Sequence, residues 1–256
     1  MTSYPNISMF VPQTALKRLA SDIKQLHRNP LISQGIYYKH DETDMLTGYA
    51  MIVGPSETPY ENGYYFFEFK FPNNYPFSPP VVTSYTQDGI TRFNPNMYVS
   101  GKVCVSILNT WAGEQWSSCQ TISSVLLVLC TILCKNPFTN EPSMTVSHPE
   151  CNNYTKIIEY KNIEVSILKM MTKELLPKKF YMFYPTMREL FLKHKETIIQ
   201  QITQRLDETN QVFIVSNYNM KVRVNYNDLL QKIMDISDNI ENNVENNVDD
   251  NAEDNV

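Results

Sequence analysis

Cys104 lies in the run RFNPNMYVSGKVCVSIL (92–108), eight residues after Asn96 and behind an Asn-Pro-Asn sequence. A nucleophilic thiol is ordinarily activated by an adjacent base, and in cysteine hydrolases that base is a histidine. No histidine falls in this stretch; the chain's four are His27, His40, His148 and His194. The run supplies carboxamides instead. Taken alone, the pattern also admits plainer readings: Cys104 as a packed core thiol, and Asn96 as a turn residue. The other cysteines are Cys119, Cys130, Cys134 and Cys151. Cys130 and Cys134 stand at i, i+4, but a metal site needs further ligands at matching spacing, and neither the cysteines nor the histidines provide them. The pair reads as small apolar residues of a core helix, and no metal is expected.

The elements around these residues can be read in order. Residues 14–28 place Leu16, Leu19, Ile23 and Leu26 at helical spacing, with Pro30 beyond. Lys17, Arg18, Lys24 and Arg28 lie off that stripe, as a solvated basic face or a docking face for an acidic partner. Aromatic and β-branched runs at 35–39, 46–53, 64–71 and 81–85 predict an antiparallel meander. Asn62-Gly63 suggests a tight turn between the middle two, because both residues tolerate positive φ. Pro76, Pro79 and Pro80 stiffen a loop that presents Phe77. Residues 121–134 are apolar nearly all round and predict a buried helix, capped by Thr121 or Ser123 and stopped by Pro137. A long helix is expected from near Tyr154 to Pro177 and another over 186–207. A small hairpin is expected at 212–224, and a last helix capped by Asn227 or Asp228.

Composition limits the classes of function. Hydrophobic residues make up 42% of the 256, and 16 Tyr with 12 Phe allow a large aromatic core. The net charge of −5 is carried by the end of the chain, where Glu241 to Asp254 include six acids and no Lys or Arg. Without them 22 basic residues face 21 acidic ones, which argues against a binder of nucleic acid. Residues 241–256, with Glu-Asn-Asn-Val twice, read as a disordered tail. Residues 1–11 lack the basic start and apolar run of a secretory leader, and no apolar stretch is long enough to span a bilayer. An odd number of cysteines then suggests a reducing compartment, cytoplasmic or nuclear.

Several of these stretches together resemble the catalytic domain of ubiquitin-conjugating enzymes. They stand in that family's order: Ala15-Leu-Lys-Arg18, GPSETPYENGYYFFEFKFP (54–72), YPFSPP (75–80), FNPN (93–96), GKVCVSIL (101–108), Trp116-Ser117, TISSVLL (121–127), Asn136-Pro137 and Glu141-Pro142. The spacing from Asn96 to Cys104 matches as well. LNTWAGEQW (108–116) is four residues longer than in short members, NPFTNEP (136–142) is also long, and helical sequence follows. These features resemble the Z-type enzymes, which accept ubiquitin and a ubiquitin-like di-domain modifier.

The resemblance implies an α+β UBC fold: an N-terminal helix, a four-stranded antiparallel meander, a buried central helix and C-terminal helices. It divides the chain into an N-terminal segment (1–12), a UBC catalytic domain (13–160), a mainly helical extension (161–240) and the tail (241–256). It makes Cys104 the thioester nucleophile, Asn96 the oxyanion donor, and Glu141 the acidic gate that orients the incoming amine, with Asn140 as the neighbouring alternative. Lys17 and Arg18 would meet the activating enzyme, Phe77 and Ser118 the ligase. Partners would be ubiquitin or a ubiquitin-like protein, those two enzymes and substrate lysines, with no nucleic acid and no membrane. No cofactor is implied, ATP being consumed upstream by the activating enzyme. A thioester is already a good acyl donor, which removes the need for a histidine beside the sulfur.

Two departures bear on the site. Asn94 stands where the family has histidine; its carboxamide has the hydrogen-bonding capacity to hold the loop in the same way. Ser118-Cys119 replaces a common Pro-Ala at the ligase surface. Two other functions stay open on the residues: a non-catalytic ubiquitin-binding variant, which such proteins reach by losing the cysteine kept here, and a cysteine hydrolase, for which no histidine motif is present.

Overall fold

The computed structural model of the protein describes residues 12–253, with side chains through 241; apart from Pro12, the expected N-terminal segment lies outside them. Helix α1 (Gln13–Arg28) buries Ala15, Leu19 and Leu26 along one stripe. Strands β1 (Ile36–His40), β2 (Thr47–Val53), β3 (Tyr64–Lys70) and β4 (Val81–Ser84) form one antiparallel sheet in chain order. Each strand end lies within one residue of its expected place.

The link between β2 and β3 differs from the tight turn expected at Asn62-Gly63. It is the longer connection 54–63, closed where the Gly54 N–H donates to the Gly63 carbonyl at 2.8 Å. Asn62 does take a positive φ of 62°. Gly63 is small for another reason: a Cβ there would fall 1.9 Å from Oδ1 of Asn162. The glycine marks a close approach between chain segments rather than a turn conformation.

β3 is buried on both sides, which is why YYFFEFK lacks the alternation of a half-exposed strand. On one face Tyr65 packs edge-on against Tyr60 and Phe93. On the other, Phe180 from the segment after Pro177 meets the rings of Tyr49, Phe66 and Tyr85, and the Tyr64 hydroxyl donates to the Met187 carbonyl at 3.0 Å. The C-terminal part of the chain is therefore a second cover for the sheet.

Helix α2 (Ile122–Ile132) begins in a capping box between Thr121 and Ser124. It is less enclosed than its composition implied. Ile122, Val125, Leu126 and Leu129 are buried, while Leu127 and Thr131 face solvent. Cys130 is half-buried, and Cys134 lies past the helix end. Helix α3 (Cys151–Lys161) continues without a break into a π-helical run, Asn162–Lys169. The boundary expected at 160 thus falls inside one helical segment. Asn162, at the change of helix type, donates to the Glu61 carbonyl at 2.9 Å and accepts from the Tyr65 hydroxyl at 2.7 Å.

Helix α4 (Tyr184–Thr203), the two-stranded β5 (Val212–Val215) and β6 (Met220–Arg223), and α5 (Tyr226–Glu253) complete the chain. The cap of α5 is Asn225, whose Oδ1 accepts the Asp228 N–H at 3.1 Å, in place of the expected Asn227 or Asp228. The helix bounds run to Glu253, across most of the segment for which composition suggested disorder; its side chains from 242, and residues 254–256, lie outside the described residues. Among the described residues no helix is long and apolar enough to cross a membrane.

Candidate active site

The Asn-Pro-Asn turn is built around the side chain of Asn94. That residue is fully buried, and its Nδ2 donates to the Tyr60 hydroxyl at 2.9 Å and to the Ile132 carbonyl at 2.8 Å. Its Oδ1 accepts from the Asn96 N–H at 3.0 Å and from Nδ2 of Asn140 at 3.3 Å. One carboxamide thus ties the turn to the β2–β3 connection, the end of α2 and the loop after it. Arg92 braces the same turn from outside, with Nη2 on the Pro95 carbonyl at 2.6 Å and Nε on the Asn94 carbonyl at 3.3 Å. Asn94→Ala is expected to lower stability by about 2 kcal/mol, because several buried polar groups lose their partner at once. The midpoint of urea unfolding measures it.

The two residues expected to carry the chemistry are brought together. The Cys104 N–H donates to the Asn96 carbonyl at 2.8 Å, and Asn96 Nδ2 donates to the Cys104 carbonyl at 2.6 Å. Cys104 is only 2% exposed and Asn96 only 5%. Cys104 is thus an enclosed residue, and the Asn96 carboxamide is turned onto the peptide backbone. The chain after Cys104 contributes to the closure. Thr110 Oγ1 accepts from the Val105 N–H at 3.0 Å, and at Gly113 a Cβ would lie 3.1 Å from Cβ of Ser106. The long loop after Leu108 is folded back beside the cysteine.

The two gate candidates are separated by their partners. Asn140 donates to the Ile132 carbonyl at 3.0 Å besides Asn94, so its amide holds the loop. Glu141 is a half-buried carboxylate whose Oε2 accepts the Tyr218 hydroxyl at 2.6 Å. Tyr218 comes from the turn between β5 and β6, beyond the expected catalytic domain. Its ring meets Phe138 at 6.0 Å and Tyr154 at 5.6 Å. The Arg92 guanidinium stands 5.2 Å from that ring and 3.5 Å from the ring of Tyr98. Burial, then the bond to Glu141, pushes the Tyr218 phenol well above the ordinary tyrosine range. Sequence reasoning found the hairpin and missed this contact. The residues at hand were Ser-Asn-Tyr-Asn, and nothing in them names a partner so far back along the chain.

The family model described as Ubiquitin-conjugating enzyme matches residues 18–172, more than half of the chain. The chain belongs to the ubiquitin-conjugating enzyme family. It is 42% identical over 163 residues to ubiquitin-conjugating enzyme E2 Z of Homo sapiens, covering 62% of this chain and 45% of that protein. The chain thus spans under half of that relative's length. Probable ubiquitin-conjugating enzyme protein 17 of Caenorhabditis elegans is 32% identical over 219 residues, 81% of this chain and 30% of the worm protein. A match of that share necessarily includes residues beyond 172. The human dual E2 ubiquitin-conjugating enzyme/E3 ubiquitin-protein ligase BIRC6 is 44% identical over 136 residues, 49% of this chain and 3% of its own.

Phe77 and Ser118 are both at the surface, Phe77 being 77% exposed. The Trp116 indole N–H holds the Phe77 loop by donating to the Pro76 carbonyl at 2.7 Å. Lys17 faces solvent. Arg18 does not stand free beside it. Its guanidinium pairs with Asp22 at 2.8 Å and donates to the Ser118 and Gln120 carbonyls, each at 2.6 Å. The residue joins α1 to the 118–120 loop, because a buried carboxylate and two turn carbonyls outcompete water for its fork of donors.

Proposed function

We propose that this ubiquitin-conjugating enzyme family member takes ubiquitin or a ubiquitin-like protein from an activating enzyme onto Cys104 and passes it to a lysine amine, with or through a ligase. The observation that carries this reading is the pair of hydrogen bonds holding Asn96 against Cys104. In the first step the Cys104 thiolate attacks the modifier's C-terminal thioester carbonyl. A new C–S bond forms and the activating enzyme's cysteine leaves as thiolate. In the second, a lysine amine attacks the same carbonyl, the C–N bond forms, Cys104 leaves, and the amine's proton passes towards the Glu141 carboxylate. Both steps place negative charge on the carbonyl oxygen, and an amide N–H of Asn96 is the donor at hand; such a donor is worth on the order of 3 kcal/mol.

The enclosure of Cys104 sets a condition. The loop after Leu108, or the gate, moves aside before an acyl group can be seated, and the Asn96 amide turns from the backbone or uses its second hydrogen. No cofactor takes part, and ATP enters only through the activating enzyme. All five cysteines are unpaired, which suits a reducing compartment, cytoplasmic or nuclear. Lys17 is the exposed anchor for the activating enzyme, Phe77 and Ser118 are those for the ligase, and Arg18 joins α1 to the 118–120 loop.

The same enclosure favours one rival reading, a ubiquitin-binding module that never carries an acyl group. Charging separates the two. With an activating enzyme, ATP and its modifier, a covalent adduct that a thiol reductant cleaves is expected. No adduct across a panel of ubiquitin-like modifiers and their activating enzymes leaves the binding module in place.

A further inference from the structure

The hairpin at 212–223 lies outside the residues that the family model matches, yet it supplies the partner of the gate carboxylate. Its placement is specific. Glu150, at the start of α3, accepts the N–H groups of Ser216 at 2.8 Å and Asn217 at 3.3 Å. Asn153 Nδ2 donates to the Ile214 carbonyl at 3.1 Å. Asn219, in the left-handed conformation at φ 54°, closes the turn directly after Tyr218. Phe138 and Tyr154 fix the ring in two directions. Among the described residues the phenol is the single hydrogen-bond partner of the Glu141 carboxylate, whose backbone bonds to Phe138 and Met144, and this leaves Oε1 for another donor. Arg92, which grips the carbonyls of Asn94 and Pro95, also stands against the Tyr218 ring. One cation therefore links the turn that carries Asn96 to the hairpin that holds the gate.

We propose that Tyr218 is a positioning residue of the transfer step: its hydroxyl holds one oxygen of Glu141 so that the other meets the incoming lysine ammonium. The proposal rests on the reading of Cys104 and Glu141 given above and adds the extension to the catalytic site. A carboxylate on an exposed loop samples several rotamers, and only some reach an amine beside the sulfur. A hydrogen bond from a caged phenol selects one of them in advance. The phenol cannot itself serve as the base, since it is engaged as donor and burial opposes its ionisation.

The test isolates transfer from loading. The protein is charged, the activating enzyme is quenched, and loss of the preformed thioester to free lysine is timed for wild type, Tyr218→Phe, Glu141→Gln and the double variant. Tyr218→Phe is expected to slow discharge about tenfold, the effect of a lost hydrogen bond to a charged group. The double variant is expected to be no slower than Glu141→Gln alone, because the hydroxyl acts through the carboxylate. Discharge to hydroxylamine, which needs no deprotonation, is expected to change less than about twofold. Glu141→Asp, which withdraws the carboxylate from the phenol while keeping its charge, is expected to match Tyr218→Phe and serves if the latter folds poorly. Equal discharge by wild type and Tyr218→Phe overturns the proposal, as does additive slowing in the double variant. Failure of the wild type to charge removes the underlying function together with it, whereas charging without this coupling removes the proposal alone.

Discussion

Cys104→Ala is expected to form no reductant-labile adduct with any modifier and activating enzyme that charge the wild type, and Cys104→Ser at most a reductant-resistant ester. A serine hydroxyl placed where the thiol was can accept the acyl group, but it forms a C–O bond that thiols do not exchange. Alanine removes the nucleophile altogether. The fold is expected to tolerate both changes. The side chain is small, and the cavity left by one sulfur in an enclosed site costs about 1 kcal/mol, so thermal unfolding should show each variant folded. This matters because a buried cysteine can be structural, and a collapsed variant would also fail to charge. The decisive outcome is therefore a folded protein that does not charge. Exposed Cys119 supplies the internal control. If Cys104→Ala still gives a reductant-sensitive adduct, the acyl group sits elsewhere, Cys119 is the first place to look, and the assignment of Cys104 is overturned.

The strands and helices were legible because their signals are local. β-branched and aromatic runs, proline stops and a Thr121 cap act over a few residues. What misled was the meaning of particular residues. Gly63 looked like half of a turn and is instead the gap into which Asn162 fits, a fact set by a residue far along the chain. The nearly unbroken apolar run of β3 reflects burial on both faces. An antiparallel sheet with one wet face alternates, so YYFFEFK implied a second covering layer, and the segment around Phe180 is that layer. At the site, the resemblance to the conjugating enzymes singled out Asn96 and Cys104, and the carboxamide chemistry of Asn94 pointed to its hold on the turn. Arg18 and Glu141 could be located but not their bonds, because a charged side chain takes its partner from the tertiary fold. Arg18 turned inward to Asp22 and two carbonyls, and Glu141 met a tyrosine from the extension.

Asn96→Ala is expected to accept the modifier from its activating enzyme and to discharge it to lysine about 10²- to 10³-fold more slowly, the range for losing one oxyanion donor. The two steps differ because a thiolate attacks a thioester readily, whereas an amine must first be neutral and then builds charge on the oxygen against a higher barrier. The same carboxamide also braces the Cys104 carbonyl at 2.6 Å, so truncation carries a structural cost of about 1–3 kcal/mol for the acceptor left unpaired. The two roles predict different patterns. A brace lost from the nucleophile's own backbone harms both steps alike and lowers the unfolding midpoint. A donor lost from the transition state harms discharge and leaves loading and stability nearly intact. Asn96→Asp sharpens the contrast, since it preserves size but turns the donor into a carboxylate that repels the oxyanion. Discharge by Asn96→Asp slower than by Asn96→Ala, with comparable loading, would place the amide N–H at the reacting oxygen. Equal discharge by wild type and Asn96→Ala would confine the side chain to holding the backbone.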